Sequence, residues 1–131
     1  MMMRVLSTLA VAAVVAVAPV TDLDTARNAL ARTSSNAILR DFFGSGPHIR
    51  EGSPAQNVAA IRAPVLMFHG DRDLNVDIQH SRLMETRLRA AGRQVELVTY
   101  PGLNHQLEDS AARTDMLRRS DAFLRQALGI R

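Results

Sequence analysis

Asp73 and His105 are the two residues whose types and setting point to proton chemistry. Each lies just past an apolar run that reads as a strand, and a glycine intervenes each time. His69-Gly70-Asp71-Arg72-Asp73 follows Val65–Phe68, and Tyr100-Pro101-Gly102-Leu103-Asn104-His105 follows Gln94–Thr99. Parallel neighbouring strands lie about 4.8 Å apart, so loops leaving their carboxyl ends share one edge of a sheet. A carboxylate there can accept from one imidazole nitrogen, fix the tautomer and stabilise the imidazolium, leaving the other nitrogen as a general base. Taken singly, Asp73 reads as a turn or cap residue and His105 as a solvated loop histidine; their matching positions raise them above those readings. His69 reads as a packed or hydrogen-bonded histidine and Asp71 as a turn-shaping residue, while His48 and His80 have no supporting context. A metal site built from His69, Asp71, Asp73 and His105 follows no ligand spacing, so neither a metal nor another cofactor is expected.

The elements that must position these two residues are legible in the pattern. Val65–Phe68 is apolar at every position, as in a parallel strand covered on both faces, and Pro64 stands at its start, where a proline costs no ladder bond. Asp77 can cap a helix to about Ala91, with Ile78, Met84, Leu88 and Ala91 on its inner face and Gly92 as its stop. Asp109-Ser110 can cap a last helix to about Leu128, with Ala112, Met116, Phe123 and Ala127 on one side and Gly129 after it. Upstream, Asp22–Ala31 and Asn36–Phe43 read as short helices. Pro47–Ser53 reads as loop, and Ser53-Pro54 as the start of a helical turn. Crossover helices of this length imply parallel neighbours, hence an α/β fold of about three parallel strands with flanking helices.

Composition narrows the function classes. The 131 residues make at most one domain, and 47% hydrophobic content suits a packed core. All sixteen basic residues are arginine, scattered without a basic block around a net charge of +3. No nucleic-acid partner is expected. The absence of cysteine excludes disulfides, cysteine catalysis and thiolate metal sites. Met1–Val20 has two main readings. Arg4 followed by Val5–Val20, with Ala16-Val17-Ala18 as a cleavage box, resembles a signal peptide. The preferred reading is a buried strand over Ala12–Ala18, ended by Pro19 and Thr21-Asp22. No membrane association is expected unless the first reading holds, and the compartment, cytoplasmic or periplasmic and secreted, stays open.

Taken together and in order, these pieces resemble the C-terminal part of the prolyl oligopeptidase family of serine peptidases. They are Ala18-Pro19-Val20-Thr21-Asp22, Ser53-Pro54, Ala63-Pro64-Val65-Leu66, His69-Gly70-Asp71-Arg72-Asp73 with Val76, then Ser81, Leu88, Gly92, Val95-Glu96-Leu97-Val98 and Tyr100-Pro101-Gly102-Leu103-Asn104-His105. The likeness covers about residues 11–128. It implies the C-terminal part of an α/β-hydrolase sheet, Asp73 as triad acid, His105 as triad base, and peptide-bond hydrolysis through an acyl-serine. No Gly-x-Ser-x-Gly occurs in these residues. The family's serine precedes the strand at Ala12–Ala18, so the missing N-terminal part of the same domain is the expected partner, along with a peptide substrate. Residues 1–10 read as the end of a helix or as the signal-like segment. Asp77 and Asn104 depart from the proline and the small residue common in the family. The chain by itself is expected to be inactive and prone to self-association through an unpaired sheet edge. The rival readings are an esterase on the same fold and a non-enzymatic secreted or truncated domain.

Overall fold

The computed structural model describes residues 11–30 and 37–131. Three strands, β1 (Val14–Val17), β2 (Val65–Gly70) and β3 (Val95–Tyr100), form one parallel sheet in the order β1-β2-β3. Val14 pairs with Val65, and the β2–β3 register runs from Val65 opposite Val95 to Gly70 opposite Tyr100. All six residues of β2 are buried, as its unbroken apolar run demands of a central strand. Its alternate side chains serve two cores. Val65 and Met67 pack with Ala55, Met84 and Leu88 on one face; Leu66 and Phe68 pack with Tyr100, Leu107 and Ala112 on the other. The Phe68 and Tyr100 rings stack with centroids 6.1 Å apart.

The helices close these two faces. Met84 and Leu88 of α4 (Gln79–Ala90) cover the first, and Ala112, Met116 and Phe123 of α5 (Ser110–Leu128) cover the second. Asp109 caps α5 by accepting from Ala112 N–H at 2.7 Å. Gly129, at φ +64°, ends it in the left-handed conformation that a glycine adopts without a Cβ clash. The inner face of α4 departs from expectation: Ala91 is exposed, and His80 and Ser81 are buried beside Met84 and Leu88. Four arginines of these helices lie outward and pair locally, Arg89 with Glu85, Arg118 and Arg119 with Asp115, and Arg125 with Asp121, while half-buried Arg87 donates to Ala55 O. Such exposed pairs contribute little stability.

The N-terminal part is built of short elements. β1 occupies only the middle of the expected Ala12–Ala18, because Ala18 turns to φ 45° and leaves the sheet while its N–H still bonds Phe68 O at 2.8 Å. Asp22 caps α1 (Leu23–Leu30), accepting from Thr25 N–H at 2.8 Å. α2 spans Ala37–Phe43. The expected loop Pro47–Ser53 instead contains a one-turn helix, α3 (His48–Glu51), held by burial of Ile49 and by the Ser53 hydroxyl, which donates to Ile49 O. Two 3-10 turns, Pro54–Gln56 and Val58–Ala60, lead into β2. The readings placed on residues 1–10, and on Ala31 and Asn36, lie outside the described residues. Among the described residues no helix is long and apolar enough to cross a membrane.

Candidate active site

β2 and β3 end side by side, so the loops that follow them open on the same edge of the sheet. Asp73 sits three residues past β2 with its side chain fully buried. Its Oδ1 accepts from the backbone N–H groups of Asn75 at 2.8 Å and Val76 at 2.9 Å, which shapes the loop and aims Oδ2 across to the β3 loop. There Oδ2 lies 2.7 Å from Nδ1 of His105. Since a carboxylate only accepts, Nδ1 carries a proton, and in the neutral ring the bare nitrogen is Nε2. The His105 side chain is 34% exposed, and among the described residues nothing bonds its Nε2. Burial by itself would raise the pKa of Asp73. The bonds from Val76 N–H, His105 and Asn75 N–H overcome this and hold the carboxyl below its usual range. The result is an ionised, oriented acid behind an imidazole whose second nitrogen faces outward. That pair can take a proton from a hydroxyl or water and stabilise the imidazolium that forms.

The two loops are stitched together by backbone. Asp71 N–H donates to Tyr100 O at 3.2 Å and Arg72 N–H to Leu103 O at 3.0 Å, and the Asp71 carboxylate accepts from Gly102 N–H at 2.6 Å. Asp71 therefore shapes the turn, and it does so across two loops rather than within one. Gly70 is required by space: a Cβ there would lie 2.3 Å from Leu103 O and 2.8 Å from Asn104 O. Beyond His105 the chain is pinned by Leu107, which adopts φ 47° and buries its side chain in the α5-side core. A left-handed leucine costs on the order of 1–2 kcal/mol, a cost its burial offsets.

Of the remaining histidines, His69 is fully buried and bonded on both ring nitrogens, to Ser81 Oγ at 2.7 Å and Val76 O at 2.9 Å. His48 Nε2 lies 2.7 Å from Phe43 O at the surface. His80, which had no supporting context in the sequence, is buried in a polar link to Thr21. The Thr21 hydroxyl donates to His80 O at 2.7 Å, and Thr21 N–H points at His80 Nδ1 from 3.4 Å. Burial pushes the His80 imidazole down against the pull of Asp22 and Asp77. No periodic signal marks these contacts, because Thr21 and His80 are 59 residues apart. Among the described residues no group of three or more His, Asp or Glu side chains could hold a metal ion.

Residues 2–131 match the family model described as the prolyl oligopeptidase family. The uncharacterized peptidase YtmA of Bacillus subtilis is 43% identical over 53 residues, 40% of this chain and 21% of its own length. The monoacylglycerol lipase of Mycolicibacterium smegmatis is 42% identical over 70 residues, 53% of this chain and 22% of its own. Among solved structures, esterase 2 of Thermogutta terrifontis with propionate bound matches at 29% identity and a TM-score of 0.65, over 86% of this chain and 41% of its own. A puromycin-hydrolyzing peptidase of Mycobacterium tuberculosis matches at 20% identity and a TM-score of 0.76, over 91% of this chain and 19% of its own, a likeness of fold. The chain spans about a fifth of the length of these curated relatives.

Proposed function

This chain belongs to the prolyl oligopeptidase family of α/β-hydrolases, and on that basis we propose that Asp73 and His105 are the acid and base of a Ser–His–Asp triad that hydrolyses peptide bonds. The observation that carries this reading is the 2.7 Å bond from His105 Nδ1 to the buried Asp73 Oδ2, at the carboxyl edge of parallel strands. The serine belongs to a segment outside these 131 residues, which contain no Gly-x-Ser-x-Gly. In the assembled enzyme His105 Nε2 takes the serine proton as the hydroxyl attacks the carbonyl carbon, then returns it to the leaving amine. Water repeats the cycle on the acyl-serine. Asp73 stays ionised throughout and fixes the tautomer.

An ester substrate is the second reading, supported by the lipase and esterase among the similar proteins; an acid and base at strand ends serve both chemistries. The coding DNA upstream of Met1 tests the first step: an in-frame Gly-x-Ser-x-Gly is expected, and a frame closed before any such motif would overturn the triad. The extended chain is then assayed in parallel on peptidyl anilides and aryl esters. Faster kcat/KM on the anilides supports the peptidase reading, and His105→Ala should lower it by at least about a thousandfold. The 131-residue chain alone should turn over neither substrate. Turnover abolished by His105→Ala in that chain would mean that it holds its own nucleophile.

A further inference from the structure

We propose that His69 is a positioning residue for the Asp73–His105 pair, held by Ser81 as the neutral tautomer protonated on Nε2; the proposal rests on the acid–base reading above. His69 continues the row of β2 side chains that face α4, after Val65 and Met67. An apolar residue would extend that core. The imidazole there is 0% exposed and satisfied at both ends. Its Nε2 lies 2.9 Å from Val76 O and 3.3 Å from Asp73 Oδ2. A carbonyl only accepts, so Nε2 carries a proton and donates it to Val76 O, with the Asp73 carboxylate close by. The bare Nδ1 then accepts from the Ser81 hydroxyl, 2.7 Å away and itself 0% exposed on α4.

The Asp73 oxygen that bonds His105 Nδ1 thus has the His69 Nε2–H beside it, 3.3 Å away, as an electrostatic neighbour. His69 also holds the carbonyl of Val76, whose own N–H binds Oδ1 of the same carboxylate. The 73–76 turn is therefore clamped to α4 through one side chain. A neutral ring orients Oδ2 without cancelling its charge, which stays available to the imidazolium of His105. An imidazolium at position 69 would compete for that charge.

Nitrogen-15 NMR of the histidine rings in the 131-residue chain tests this directly. His69 should show a protonated Nε2 and a bare Nδ1, and His105 the reverse. Ser81→Ala should speed solvent exchange of the His105 Nδ1 proton by about tenfold, the equivalent of one lost hydrogen bond, and Ser81→Thr should restore it. His69 protonated on Nδ1 or on both nitrogens would overturn the proposal, and so would unchanged exchange in Ser81→Ala. The wild-type tautomer decides even where a variant fails to fold. A bare Nδ1 on His105 would overturn the acid–base reading and this proposal with it; a normal His105 beside a misassigned His69 would sink this proposal alone.

Discussion

Replacing Gly70 by alanine tests the claim that the site is set by how closely two loops approach. The residue is not in the left-handed region, so the cost is one of space. The added Cβ would meet Leu103 O at 2.3 Å, where ordinary contact begins at 3.4 Å, and the atoms in the way are backbone. The β3 loop must therefore retreat by about 1.1 Å. That movement strains the Arg72–Leu103 bond and carries His105 away from Asp73, past the reach of a 2.7 Å hydrogen bond. Overpacking of this kind costs about 1–3 kcal/mol, and an unyielding backbone obstacle puts Gly70→Ala at the upper end. For a domain of this size, 3 kcal/mol corresponds to a fall in Tm of about 10 °C. Gly102→Ala is the internal control: φ is +75° but nothing lies within 4 Å of its Cβ, so only the left-handed backbone is penalised, by about 1 kcal/mol. Thermal melts of both variants, with the His105 Nδ1 proton followed by NMR, give the comparison. A Gly70→Ala protein that melts no lower than Gly102→Ala and keeps the His105–Asp73 bond would refute the reasoning.

Two further predictions concern pH. Asp73 and Asp22 are both buried groups whose hydrogen bonds, from Val76, His105 and Asn75 in one case and from Thr25 and Gln56 in the other, outweigh the upward effect of burial and hold the carboxyls low. A depressed folded-state pKa stabilises above the unfolded value of about 3.9, and that stability is lost as pH falls through the folded value. The urea midpoint should therefore fall gently below about pH 6.5, where the lowered His80 imidazole resists protonation, and more steeply below about pH 4, with a shallower final drop in Asp73→Asn. Superimposable acid limbs for the two proteins would contradict this. Tyr100, the single tyrosine of a chain without tryptophan, is pushed up to about 12 by burial, by its bond to Asp115 and by that carboxylate's charge. Its stabilising contribution is present below the unfolded tyrosine value of about 10 and lost as pH rises through the folded one. Phenolate absorbance should rise with a midpoint near 12 and shift toward about 10 in Asp115→Ala; a wild-type midpoint near 10 would argue against the buried pairing.

Residue order alone carried a good deal of this architecture. The unbroken run Val65–Phe68 marked a strand covered on both faces, Asp109 and Gly129 bracketed the last helix, and the placing of Asp73 and His105 past successive strands put both on one edge. These are local signals: side-chain periodicity, capping chemistry and backbone freedom act within a few residues and leave their mark there. The helix at His48–Glu51 left no such mark, because a single turn is too short for periodicity and depends on Ile49 finding a buried site and on Ser53. His80 looked idle for the same reason, its partner Thr21 being remote in the chain.

The 2.7 Å meeting of Asp73 with His105, the seating of His69 against Ser81 and the need for glycine at 70 were decided only by tertiary structure. A hydrogen bond is made or lost over a few tenths of an ångström. Distances that fine come from the register of β2 against β3 and from the packing of α4 and α5 on the sheet, summed over contacts scattered along the whole chain. The order of residues determined which groups reach the edge; the fold determined which of them touch.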